Sequence, residues 1–233
     1  MRVLVSRAMA DGERTAERLA ARGHTAVLAP VTTIEPTGAP PPREPWDALV
    51  LTSAHAVTMV AGLGVQDTRV FAVGERTAAA ARSAGFARVE GAAGDALSLA
   101  RLVAATLASS ATLLHATAPD RKAEPEASLS AAGFRVLVWE CYAARPVHRL
   151  SQDAVEALRA RHFDTALHFS RRSAALLVDL ADREGLVPNL RTVPHLCLSA
   201  DVAAPLAAMG FETLVAPEPN ERGLTALLDR LVR

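Results

Sequence analysis

Apolar residues in this chain fall into short, nearly unbroken runs, separated by longer stretches in which they recur every three or four positions. RVLVSR (2–7), TAVLAPV (25–31), DALVLTS (47–53), VFAVG (70–74) and ATLLHAT (111–117) are runs of the first kind. So are RVLVW at the start of 135–147, DTALHFS (164–170), HLCLS (195–199) and TLVAP (213–217). Runs this short, apolar at successive positions, predict strands buried on both faces. A shorter strand is expected near 87–91. Between them the spacing is helical. Ala16, Leu19 and Ala20 mark one helix over 11–22, closed by Gly23. Further helices are expected over 54–63, 75–85, 95–108, a stretch closed by Gly133, 151–163 with a serine N-cap, 171–185, 201–210 and 221–233. Strands alternating with helices on this scale predict parallel sheets covered on both faces.

The pattern repeats within the chain. DALVLTS matches DTALHFS, and VFAVGERTAAAARSAGF matches LCLSADVAAPLAAMGF. Leu99 and Leu102 correspond to Leu224 and Leu227 at the offset that relates Gly85 to Gly210. TAVLAPVTTIEP (25–36) and RVLVWECYAARPV (135–147) share a plan: Gly23 precedes Pro36 by the interval at which Gly133 precedes Pro146, and Tyr142 falls where Thr32 falls. The order is thus short unit, long unit, short unit, long unit.

The stretch 35–46 carries five prolines and a glycine, which suits a linker and not a helix or central strand. It lies between the first short and the first long unit, where a straight tandem would need continuity. A crossed arrangement places it better. Residues 38–145 form one α/β domain, 1–35 with 148–233 the other, and 36–37 and 146–147 are linkers. The expected fold is therefore α/β: two similar flavodoxin-like domains with parallel five-stranded sheets, joined by two crossing linker strands.

The 233 residues suffice for two domains that each bury a core, and half of them are hydrophobic. Charge is balanced, 25 basic against 25 acidic, which lacks the positive bias of a nucleic-acid binder. Lys122 is the only lysine and has polar neighbours, against a Schiff-base mechanism. Cys141 and Cys197 sit in apolar runs without metal-ligand or redox spacing and read as buried thiols. No signal peptide or membrane-length apolar run is read, so a cytoplasmic protein is expected.

Ligands of open parallel sheets lie beyond the carboxyl ends of the strands, where helix N-termini offer backbone N–H groups to anions. Thr52, Ser53 and His55 follow one strand, Gly74 and Thr77 the next, Ser170 and Arg171 a third, and Ser199 a fourth. The plain alternative is that Ser53, Thr77 and Ser170 only cap their helices. His115 and His168 lie on strands and read as satisfied near-core residues. Dinucleotide, nucleoside-triphosphate, serine-hydrolase and zinc-protease signatures are all missing.

VLVSR at the start, DALVLTSAHAV, VFAVGERTAAA, WECYAARP and HFSRRSA, in this order and spacing, resemble the uroporphyrinogen-III synthase family over essentially the whole chain. The resemblance implies two α/β domains joined by crossing strands, and a monomeric lyase without a cofactor. It implies cyclisation of hydroxymethylbilane to uroporphyrinogen III, with loss of water and inversion of the terminal pyrrole ring. Tyr142 matches the family's tyrosine and would donate the proton to the departing hydroxyl. Thr77, Ser53 and Ser170 would face the cleft and hold substrate carboxylates, with Arg7, Thr52, His55, Gly74, Arg171 and Ser199 completing the binding set. Two stretches depart from the family: Ser199 and Val202 stand where a glycine and a threonine are common, and the turn through Thr117 and Glu124 lacks the usual glycines. The rival readings are a non-catalytic two-domain cleft for a small anion and a flavodoxin-like sugar-phosphate or nucleotide enzyme.

Overall fold

The structure is a computed structural model that describes residues 1–231. The chain opens with β1 (Arg2–Val5), α1 (Met9–Ala20) and β2 (Thr25–Leu28), then passes through β3 (Thr32–Pro36). There follow β4 (Ala48–Leu51), α2 (His55–Ala61), β5 (Arg69–Ala72), α3 (Glu75–Ser83) and β6 (Val89–Gly91). Next come α4 (Ala96–Thr106), β7 (Thr112–Thr117), α5 (Glu126–Ala131) and β8 (Arg135–Glu140). After β9 (Tyr142–Pro146) come α6 (Gln152–Arg159), β10 (Thr165–His168), α7 (Arg171–Arg183) and α8 (Val187–Leu190). The last elements are β11 (His195–Cys197), α9 (Ala200–Ala208), β12 (Thr213–Val215) and α10 (Glu221–Leu231). The last two positions of the helix expected over 221–233 lie outside the described residues.

The chain divides into two compact units, Met1–Thr33 with Arg145–Arg233, and Ile34–Ala144, so the divisions fall inside β3 and β9. Those two strands pair as a two-stranded sheet. The Thr37 N–H bonds the Cys141 carbonyl and the Val147 N–H bonds that of Val31, so one strand runs back as the other runs forward. The proline-rich stretch is held within the second unit. Thr37 Oγ1 donates to the Glu140 carbonyl at 2.6 Å, Trp139 Nε1 donates to the Ala39 carbonyl at 2.8 Å, and Arg135 pairs with Glu44. Prolines cannot supply ladder hydrogen bonds, so side chains do the fastening.

Each unit has one parallel five-stranded sheet. The first runs β12-β11-β10-β1-β2 and the second β6-β5-β4-β7-β8. In the first, numbering strands along the chain gives the flavodoxin order 2-1-3-4-5. The second has the same spatial order entered at a different strand. The correspondence reaches single hydrogen bonds: the Asp47 N–H bonds the Thr112 carbonyl and Asp47 Oδ2 accepts from the Thr112 N–H, both at 2.8 Å. Asp164 and Arg2 exchange the same two bonds.

Strand side chains alternate between two cores, as a pleated strand requires. Leu4 joins one core of the first sheet while Val3 and Val5 join that on its opposite face. Leu49 and Leu51 are divided in the same way from Ala48 and Val50. Three helices of the first unit start on serines, Ser151, Ser170 and Ser199, whose Oγ atoms accept N–H bonds from Ala154, Ser173 and Val202.

A polar pair is buried in the first unit. His168 and His195 are fully buried, with His168 Nε2 2.9 Å from His195 Nδ1 and His195 Nε2 3.0 Å from the Leu190 carbonyl. The carbonyl only accepts, so His195 carries its proton on Nε2 and receives one from His168. This neutral arrangement leaves His168 Nδ1 bare, with no partner for a further proton. Burial, and then the neighbouring His195, push His168 down to about 3.

Two outcomes are expected. Between pH 6.5 and 3 the unfolded chain binds protons that folded His168 excludes, so stability is lost as pH falls, by about 2 kcal/mol at pH 5. Urea unfolding at pH 7 and 5 should show a smaller loss for His168→Leu than for the wild type; equal losses would contradict this account. Ser170→Ala should lower stability by about 1 kcal/mol while Ser170→Asp, which also caps, should not. Thermal unfolding of the two variants distinguishes them.

Candidate functional site

In the second unit the strand order reverses between β4 and β7, and the residues at their carboxyl ends form the candidate site. Thr52 and Ser53 leave β4, and His115 and Thr117 end β7. Together with Tyr142 they line a pocket of about 270 Å³, which Ala118, Asp120, Arg121, Lys122 and Glu124 also line. This is the crevice in which open α/β sheets bind ligands. The turn without glycines thus offers side chains to the pocket.

Tyr142 begins β9 and is buried to 7 % exposure, with the His55 ring tilted against it at 5.9 Å between centroids. Burial raises its phenol above the ordinary value; a hydrogen bond from Ser53 and the charge of Arg76 pull the other way. The phenol is therefore protonated at neutral pH and can act as a donor. Ser53 Oγ also accepts the His55 N–H at 3.2 Å, which fixes the turn into α2. Ala54, not Ser53, is the N-cap of that helix.

Behind the pocket lies a chain of polar groups. Thr52 Oγ1 is 3.2 Å from His115 Nε2, and His115 Nδ1 is 3.0 Å from Glu126 Oε1. Arg121 Nε donates to Glu126 and its Nη1 to Glu140, each at 2.7 Å. Burial lowers the His115 basicity against the raising effect of Glu126, so the ring is neutral near pH 7. Despite the cost of burying it, the Arg121 hydrogen bond and His115 hold Glu126 below the ordinary carboxylate range. The sequence marked His115 only as near-core. Its partners come from the turn after β4, from α5 and from the loop between β7 and α5, contacts without a sequence signature.

The other expected residues lie elsewhere. Gly74 caps α3 in extended backbone, and a Cβ there would sit 3.2 Å from Gly94 Cα, so its role is close approach of two loops. Thr77 is buried in the first turn of α3 and is not among the residues lining the pocket. In the first unit, Arg7 stands over the Phe169 ring at 4.2 Å and pairs with Glu221 at 2.7 Å. Ser170 and Ser199 cap α7 and α9, and Arg171 pairs with Asp201 at 2.9 Å on the surface. Arg7 and Phe169 thus stack at the reversal point of this sheet, between β10 and β1, where Phe169, Thr15 and Glu221 also line a small pocket.

Among the described residues no group of three or more His, Cys, Asp or Glu side chains could hold a metal ion. Cys141 and Cys197 are free and buried, and burial raises their thiols to about 11 and about 12. Both are poor nucleophiles at neutral pH.

A family model described as uroporphyrinogen-III synthase HemD matches residues 13–226. No curated protein gives a significant sequence match. Among solved structures, a uroporphyrinogen-III synthetase from Helicobacter pylori superposes with a TM-score of 0.67 at 16% identity, covering 99% of this chain and 100% of its own. A mutant uroporphyrinogen III synthase from Thermus thermophilus gives a TM-score of 0.50 at 21% identity, covering 100% of this chain and 98% of its own. At such identities the structural likeness establishes the fold. The family model, running over nearly all of the sequence, establishes the rest: this chain belongs to the uroporphyrinogen-III synthase family.

Proposed function

We propose that this chain closes hydroxymethylbilane to uroporphyrinogen III with Tyr142 as the proton donor to the departing hydroxyl. The lyase activity, a step of tetrapyrrole and haem biosynthesis, follows from family membership. The observation that carries the assignment of Tyr142 is its buried, protonated phenol, hydrogen-bonded to Ser53 on the wall of the pocket.

The pyrrole nitrogen pushes electrons toward the terminal hydroxymethyl carbon, and the C–O bond breaks. Hydroxide is a poor leaving group, so a proton delivered to the oxygen lets water depart. The cationic carbon then closes through a spiro centre that inverts the last ring. Arg76, whose charge favours ionisation of Tyr142, offsets the cost of the phenolate that is left. No redox cofactor is called for.

Substrate carboxylates fall to His55, Gly74, Thr77, Ser170, Arg171 and Ser199, while Thr52 and Ser53 contact the substrate beside the reacting ring. Helix N-termini at these strand ends support that reading. Arg7 reaches a carboxylate only by exchanging Glu221 for it. We further propose that the protein works as a cytoplasmic monomer without a nucleic-acid partner, the latter supported by its balanced charge. Among the described residues no helix is long and apolar enough to cross a membrane. The folding units proposed are 1–35 with 148–233, and 38–145, with 36–37 and 146–147 between them.

Incubated with hydroxymethylbilane, the protein should turn the product from the spontaneous type I ring to the type III isomer, resolved chromatographically after oxidation. Type I product alone from folded protein would overturn the reading. Tyr142→Phe should lower kcat by about tenfold to a thousandfold with little change in thermal midpoint. An unchanged kcat would return Tyr142 to a packing role. Thr77→Ala should raise KM more than it lowers kcat if this threonine anchors a carboxylate.

A further inference from the structure

The reaction needs a proton acceptor as well as a donor. Product differs from substrate by one water, so when the hydroxyl leaves with a proton from Tyr142, a hydrogen must later leave the ring carbon that forms the last bond. Until it does, that ring is a cation without aromaticity.

The polar chain behind the pocket has the order an acceptor requires. Glu126 is a carboxylate, held so by Arg121, so His115 Nδ1 carries the proton that they share. The free lone pair of the ring is then on Nε2, and Thr52 must donate its hydroxyl proton to it. This turns the lone pairs of Thr52 Oγ1 away from His115, and Thr52 lines the pocket. The next residue, Ser53, holds Tyr142, so the donor and acceptor chains open on the same space.

The fold does not require this chain. The register pairs Val50 with His115, and Leu167 with Val5, at matching places in the two sheets. The positions of His115 and Thr52 are therefore taken in the first unit by Val5 and Phe169. A parallel sheet of the same order closes there with an apolar strand and a ring. Of the three side chains His115 is 1 % exposed, a burial cost that Val5 and Phe169 do not carry at the matching positions.

We propose that Thr52, His115 and Glu126 form the proton-accepting arm of this site, with Thr52 touching the substrate and the other two acting through it as positioning residues. This rests on the synthase reading above. The C–H bond of the last-closed ring carbon breaks, and its electrons restore the aromatic ring. The proton passes to Thr52 Oγ1 as the Thr52 proton passes to His115 Nε2. The imidazolium formed is paired with Glu126. It returns its proton through water to the Tyr142 phenolate, so that only water is lost overall.

The test uses the full chain and measures product isomer, kcat, KM and pH profile on hydroxymethylbilane. Wild type without type III product would sink the synthase reading itself. With type III product from the wild type, His115→Gln should lower kcat by about a hundredfold and leave KM within about threefold. The acid limb of the wild-type profile should be absent in this variant, because glutamine does not titrate. The charged or titratable groups around His115 are Glu126, Arg121, Asp120, Lys122, Glu124 and Tyr142, and all remain in it. Glu126→Gln removes the group that raises His115, so its acid limb should move to lower pH with a reduced plateau. Thr52→Ser should keep most of the rate and Thr52→Val should lose it. If His115→Gln fails to fold, the Glu126 and Thr52 variants decide. Type III product at wild-type kcat, with an unmoved pH profile, in Glu126→Gln and Thr52→Val would overturn the proposal.

Discussion

Burial of the central parallel strands on both faces is the constraint on which the rest of this structure depends. β4 has no exposed side chain along its length, and β10 none either. A strand in that position admits polar groups only where it ends, or where a partner waits inside the core. Function is thereby confined to the turns that follow the strands. The two parallel pairs at the reversal points are aligned by one device, the exchange of hydrogen bonds between Asp47 and Thr112 and between Asp164 and Arg2. That alignment sets which residues meet at the far ends.

The two reversal points illustrate how one scaffold serves different ends. In the first unit Arg7 stacks on Phe169 and is tied to Glu221 and Thr15 at that point. In the second unit the corresponding crevice is lined by hydroxyls, an imidazole and a phenol. The difference is carried by a few side chains at equal positions in equal sheets. Fold-level likeness alone would not separate the two.

The fold was legible because its signals are local and repeated. Runs such as DALVLTS and DTALHFS announce buried strands, and the shared spacing from Gly23 to Pro36 and from Gly133 to Pro146 discloses the duplication. Thr52, Ser53 and Tyr142 were also legible, as strand-end residues that the structure brings to one pocket. The Thr52–His115–Glu126 chain was not, because its members are joined across a turn, a strand and a helix, and a histidine in an apolar run looks the same whether or not it has partners. His168 and His195 were hidden for the same reason: nothing near either residue in the sequence points to the other. The short helix α8 escaped because it is a single turn around a proline, too brief for a period to show.

The permuted strand order has a consequence for how the chain is made. The second unit is continuous, so every strand of its sheet has emerged once β8 is synthesised. The first unit begins earlier and finishes later: β1 and β2 appear first, yet the β10 edge that β1 needs lies beyond the whole of the other unit. Until then β1 offers an unpaired parallel edge of apolar residues. Non-local pairing of this kind is slow, because a long loop must close before any contact rewards it. The nascent chain therefore carries an open, apolar strand–helix–strand start past a finished neighbour, and the interval in which aggregation competes with folding is written into the topology, not into any one residue.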